Sequence, residues 1–149
     1  MTPPAIPSAP TGLTALAGNS SVVLNWTAST AKGSPTYSVL RSTSSGSGYV
    51  SIASSLTAAT YTDLTALNGT VYYYVVKATN VGGTSPASSE VTATPVNPPV
   101  LAISPNTRTF VRNSAIIPVT PSNTGGAIAS CAVVPSLPNG LVLATSTCG

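Results

Sequence analysis

Residues 71–79 sort into two faces with a period of two. Tyr72, Tyr74, Val76 and Ala78 share one face, and Tyr73, Val75, Lys77 and Thr79 share the other. A period of two, carried by aromatic and β-branched residues, predicts a β-strand. Asn80, Val81, Gly82 and Gly83 then turn the chain. The same alternation runs through residues 22–27, where Val22, Leu24 and Trp26 oppose Val23, Asn25 and Thr27. It recurs in residues 36–42, where Tyr37, Val39 and Arg41 share a side. Shorter strands are predicted at 12–17, 49–53, 59–63 and 90–94, separated by Gly-, Ser- and Asn-rich turns. Many short strands with regular turn signals and no helical period imply an all-β, antiparallel sandwich. The predicted core is Trp26 and Tyr37 together with Tyr72 and Tyr74.

Composition narrows this picture. Charged residues are only 5% of the chain, against about a quarter in an average globular protein. No apolar run reaches the roughly 18 residues of a spanning helix, so the polar surface must be made of hydroxyls and amides. The net charge of +3 comes from five scattered cations set against Asp63 and Glu90. A nucleic-acid surface needs clustered basic residues, and only Arg108 and Arg112 lie close together. Histidine is absent, which removes the commonest general base and metal ligand. Asp63 and Glu90 could form an acid/base pair of the glycosidase kind. A turn-capping Asp and a surface Glu is the expected reading. No carboxylate cluster suits calcium, so no enzyme activity, metal or cofactor is expected.

Certain runs resemble a known family. They are P-T-G-L near the start, V-V-L-N-W, Y-S-V-L-R, Y-T-D, N-G-T-V-Y-Y-Y-V-V-K-A-T-N-V-G-G-T-S and S-S-E-V-T-A-T-P. Together they resemble a fibronectin type III domain over residues 7–95, of the Ser/Thr-rich sort common in bacterial extracellular enzymes and surface proteins. The resemblance implies that Trp26 is the core tryptophan of the second strand. It also implies that Tyr72 is a tyrosine-corner residue whose hydroxyl bonds back to the preceding loop. Ala66 stands where that loop usually carries Leu, and Leu64 or Leu67 is expected to compensate.

The expected organisation is a Pro-rich linker at 1–10, the fibronectin-like domain at 11–95, a stiff Pro-rich joint at 96–99 and a second β unit at 100–149. In the second unit, strands are predicted at 102–104, 109–111, 115–119 and 127–134, with Asn, Pro and Gly turns between them. The runs I-S-P-N-T-R-T-F, I-I-P-V-T-P-S-N-T-G-G-A-I-A-S-C, V-P-S-L-P-N-G-L and T-S-T-C-G resemble an immunoglobulin-like repeat of bacterial surface proteins. That family continues through further strands, which implies an incomplete second sandwich and a chain that is a fragment of a longer one. Residues 1–10 lack the basic and apolar regions of a signal peptide, so the expectation is either a secretion signal already removed or a fragment of a longer chain.

Cys131 and Cys148 could be a nucleophile, a metal pair or a disulfide. A metal needs two more ligands and a nucleophile needs a base. The immunoglobulin-like resemblance places the two cysteines on adjacent segments flanking P-S-L-P-N-G-L, which implies a disulfide. Its expected contribution is about 3 kcal/mol. A thiol assay on denatured, unreduced protein should then find no free thiol, and two titratable thiols would refute the pairing.

Tyr49, Tyr61 and Tyr73 are expected at the surface, with Tyr49 and Tyr73 the candidate ligand contacts. Asn19, Asn25 and Asn68 fall in Asn-x-Ser/Thr tripeptides. Such tripeptides arise by chance in a chain this rich in Ser and Thr. Three roles follow. The first is an extracellular spacer or adhesion module of a bacterial surface or secreted protein, touching other domains of its polypeptide. The second is a filament subunit built by strand complementation between neighbouring copies, with residues 2–10 as the donated arm. The third is a carbohydrate-binding accessory module of a secreted glycan-degrading enzyme.

Overall fold

The structure is a computed structural model, and it describes residues 5–30, 33–102 and 122–127. The chain divides into two units, Met1–Val96 and Asn97–Gly149. The described residues contain no helix, and every strand pairing is antiparallel.

In the first unit, β1 (Thr11–Gly18), β2 (Ser21–Thr27) and β5 (Thr60–Asp63) form one sheet in the order β1-β2-β5. The second sheet is built on β6 (Tyr72–Asn80), the longest strand. On one side β6 pairs β3 (Thr36–Ser42), which pairs β4 (Val50–Leu56). On the other side β6 pairs β7 (Gly83–Thr84) at one end and β8 (Val91–Ala93) at the other. The two sheets meet through the faces that the alternation marked as apolar. Val22, Leu24 and Trp26 pack against Tyr37, Val39, Tyr72, Tyr74, Val76 and Ala78, all buried. Trp26 meets the Tyr37 ring edge-on, with centroids 5.4 Å apart, a favoured aromatic geometry.

Two local devices shape the sheets. In β1 the register slips between Thr11 and Thr14, and Gly12 sits inside that bulge with φ of 61°, a conformation that costs glycine little. Between β7 and β8, two serine hydroxyls replace a missing stretch of strand. Ser85 Oγ accepts from the Ala78 N–H at 2.9 Å, and Ser88 Oγ accepts from the Val76 N–H at 3.0 Å. The Ser85 and Ser88 N–H groups donate to the carbonyls of the same two residues. Pro86 supplies no backbone donor, and the two serines keep the β6 backbone paired across the gap.

Several expectations need correction. Ala66 is buried, but Leu64 and Leu67 are 74% and 65% exposed, so neither leucine fills in for the missing bulk. Tyr61 is half-buried and packs against the core instead of standing at the surface. The β7 strand falls where only a turn was expected, and β4 extends three residues further than its predicted end. Residues 5–10 are also no free arm. Pro7 and Pro10 are buried, and Asn80 Nδ2 donates to the Ala5 carbonyl at 2.9 Å. The strand-donor role for that segment is therefore opposed by its packing on its own sandwich.

In the second unit, β9 (Val100–Ala102) pairs β10 (Ser122–Thr124). The first of these begins two residues before the predicted strand, and the second occupies a predicted turn. Asn123 Nδ2 donates to the Gly126 carbonyl, and Gly126 N–H donates to the Asn97 carbonyl at 2.9 Å. These bonds let a short pair close on itself at the Ser/Asn-rich segment. The predicted strands at 109–111 and 115–119, nearly all of 127–134, and Cys131 and Cys148 lie outside the described residues.

Candidate functional site

Two polar clusters stand out on the sandwich, one at its edge and one on an outer face.

The first is assembled around Asp63, at the end of β5. Its side chain is fully buried. Arg41, on the inward side of β3, donates from Nη1 to Asp63 Oδ2 at 2.8 Å and to Thr65 Oγ1 at 2.9 Å. The Tyr74 hydroxyl donates to Asp63 Oδ2 at 2.9 Å. Oδ1 accepts from the Thr65 N–H and the Thr65 hydroxyl. Burial alone would raise the Asp63 pKa, but the Thr65 hydroxyl and N–H, then Arg41 and Tyr74, outweigh it and hold the carboxyl below its usual range. Burial likewise opposes the Arg41 charge, and the Asp63 hydrogen bond and charge overcome it, so the guanidinium pKa rises. The Tyr74 phenol is pushed up by burial and by the neighbouring carboxylate. Arg41 also lies over the Tyr72 ring, 4.6 Å from its centroid, a cation–π distance.

Tyr72 itself closes the loop before β6. Its hydroxyl accepts from the Leu67 N–H at 3.2 Å, five residues upstream, which is tyrosine-corner geometry. A Tyr72→Phe variant should lose about 1–2 kcal/mol, because the Leu67 N–H loses its acceptor while the ring stays. Equilibrium urea unfolding checks this, and an unchanged midpoint would show that solvent replaces the phenol.

Beside this cluster, Arg41, Thr43, Gly48, Val50, Ile52 and Tyr72 line a cleft of about 310 Å³. It is open to solvent along the β4 edge, where Val50 is 67% exposed.

The second cluster lies on the outer face. Glu90, just before β8, accepts from the Ser45 hydroxyl at 2.7 Å, from the Gly46 N–H at 2.8 Å and from the Tyr49 hydroxyl. These contacts tie the β3–β4 hairpin loop to the far side of the sheet. Buried Ser42 anchors the base of the loop, donating to the Ser47 carbonyl and accepting from the Ser44 N–H. Burial, then Glu90, pushes the Tyr49 pKa up to about 12, and Tyr73 is near enough to add to the rise. The Tyr49, Gly46 and Ser45 hydrogen bonds lower the Glu90 pKa.

The structure thus brings Tyr49 and Tyr73 into one neighbourhood, both half-buried, with the Tyr49 hydroxyl already committed to Glu90. Trp26, Tyr37, Tyr72 and Tyr74 lie in the core. Asp63 and Glu90 each hold their own donors and share none among the described residues. The described residues contain no group of three or more potential metal ligands, and no helix among them is long and apolar enough to cross a membrane. Asn68 is engaged through both ends of its amide, accepting from Ser20 N–H and donating to Asn19 Oδ1.

Comparison with known proteins places this architecture. No family model matches the chain. A fibronectin type III-like protein of Clostridium thermocellum of known structure shares 39% identity, with a TM-score of 0.52 over 59% of this chain and 92% of that one. The chain belongs to the fibronectin type III-like proteins through this domain. It is also 43% identical over 89 residues to a segment of an amylopullulanase of Thermoanaerobacter thermohydrosulfuricus. That match covers 59% of this chain but only 6% of the enzyme's length. A β-1,2-glucanase of Parabacteroides distasonis contains a similar fold, at 26% identity and a TM-score of 0.53, over 63% of this chain and 14% of that enzyme. A fibronectin-like stretch that makes up so small a part of an enzyme is a non-catalytic module.

Proposed function

We propose that this chain is an accessory segment of a secreted glycan-degrading enzyme, in which the sandwich spaces and orients the catalytic part. The observation that carries this reading is the 43% identity to a segment of an amylopullulanase. The fibronectin-like fold within a β-1,2-glucanase adds weight. The physical design agrees with a spacer. The hydroxyl-rich surface carries little charge, and residues 5–10 are pinned to the β6–β7 turn by Asn80, with Ile6 so near Gly83 that a Cβ there would meet its side chain. A chain entering along that segment enters in a fixed direction. On this reading residues 96–99 are a stiff joint, and residues 100–149 open an immunoglobulin-like unit with a Cys131–Cys148 disulfide.

An antibody raised against the 149-residue chain tests the proposal in the organism that makes it. The antigen should appear in the culture medium, on a polypeptide far larger than 14.7 kDa, and immunoprecipitates should hydrolyse pullulan or another glucan. Antigen confined to the cell, or carried by a polypeptide without glycan-hydrolysing activity, would overturn it.

A further inference from the structure

We propose that the cleft at the β4 edge seats one uncharged hexose residue of a glucan chain; this rests on the accessory-module reading above. Its volume of about 310 Å³ lies at the lower end of small-ligand sites, about 300–1,000 Å³. That suits one sugar ring with its neighbours projecting into solvent. Val50, Ile52 and the edge of Tyr72 provide an apolar wall for the C–H face of a pyranose, and Thr43 adds an exposed hydroxyl.

Arg41 supplies the directional part. A guanidinium has five donors; Nη1 donates to Asp63 and Thr65, and the guanidinium also faces the Tyr74 hydroxyl. Arg41 also lines the cleft with part of its side chain exposed, so donors not used by these neighbours can meet a ligand there. Asp63 holds the guanidinium in place through a carboxylate that is itself buried, so the donor fork is pre-organised and loses little freedom on binding. The same pairing decides the ligand's charge. Arg41 is neutralised locally by Asp63, so the cleft offers hydrogen bonds without a net positive field. It therefore favours a neutral polyol over a sugar acid. The outer-face tyrosines are a poorer platform, because Tyr49 is committed to Glu90 through its hydroxyl and both rings are half-buried.

The test is a titration of the whole ¹⁵N-labelled chain with maltotriose, read by amide and Arg Nε–H shifts. The expected result is saturable shifts at Thr43, Gly48, Val50 and Arg41 Nε–H, with affinity in the millimolar range. Val50→Arg, at an exposed position, should weaken binding about tenfold, and Thr43→Val should weaken it less, both with unchanged circular dichroism. Glucuronate should shift the same signals no more strongly than glucose. No saturable shift, shifts confined to Tyr73 and Glu90, full affinity in Val50→Arg, or a clear preference for glucuronate would each overturn the proposal. The titration uses the isolated chain, so its failure leaves the accessory-module reading to be judged on the secreted polypeptide alone.

Discussion

Replacing Asp63 with alanine is expected to destabilise the sandwich by about 3–5 kcal/mol, the usual cost of removing one member of a buried ion pair. The magnitude follows from what is left behind. The Arg41 guanidinium, with 22% of its side chain exposed, loses its counter-charge. The Tyr74 hydroxyl, on a fully buried residue, loses its acceptor. The Thr65 N–H and hydroxyl lose theirs as well. Chemical denaturation of the variant should show the loss, and a midpoint within experimental error of the parent would refute it. Arg41→Ala should also destabilise strongly, since it leaves the carboxylate buried without a cation. The double variant should cost less than the sum of the two, because each single change strands the other's charge.

The same carboxylate sets an acid limit. The Asp63 pKa is lower in the folded chain than its ordinary value of 3.8. The unfolded state therefore binds protons first as the pH falls, and stability falls with it. The contribution is complete above the unfolded pKa, near 4, and is lost as pH drops through the folded value. Glu90 shifts in the same direction. Unfolding followed from pH 6 down to pH 2 should show a steep loss below about pH 4, and Asp63→Ala should flatten that slope. An unchanged slope would mean that the carboxylate is not held in its charged form by its neighbours.

How much of this could be read from residues alone depends on the range of the interaction. The strands at β2, β3 and β6 were legible because aromatic and β-branched residues recur at every second position, so Trp26, Tyr37, Tyr72 and Tyr74 fall on faces that a strand must bury. Half of Asp63 was legible too. A turn-capping carboxylate is a local device, and the Thr65 N–H bond to Oδ1 is that device. Its ion pair was not, because Arg41 lies 22 residues earlier and its approach depends on how two sheets close. A signal was present. Arg41 continues the inward series of Tyr37 and Val39, and a cation on an apolar face requires a buried partner, with only Asp63 and Glu90 available as side-chain carboxylates. Ser85 and Ser88 left no such signal, because a hydroxyl standing in for a strand's backbone has no periodicity. The clasp of Glu90 on the β3–β4 loop was equally hidden, since a Ser/Gly run does not say where its tip lands. Ala66 misled for a related reason: a small residue can be buried without any larger neighbour turning inward to replace it.

Trp26→Ala should cost about 3–5 kcal/mol, the range for emptying a buried Trp site. Trp26 is 6% exposed at the centre of the core cluster, and its edge-on partner Tyr37 would lose that contact. Tyr37 in turn accepts the Ser29 N–H through its hydroxyl, so a shift of its ring would loosen the loop after β2. Trp26→Phe separates packing from polarity. Among the described residues the Trp26 indole Nε1 is buried without a hydrogen-bond partner. An unsatisfied buried donor costs about 1–3 kcal/mol. Phenylalanine removes that cost while keeping a ring, so its net loss should be well below that of alanine. Because Trp26 is the sole tryptophan, both variants must be followed by circular dichroism and not by indole fluorescence. If phenylalanine proves as costly as alanine, the indole's full volume is what the site requires, or a water molecule already satisfies its nitrogen.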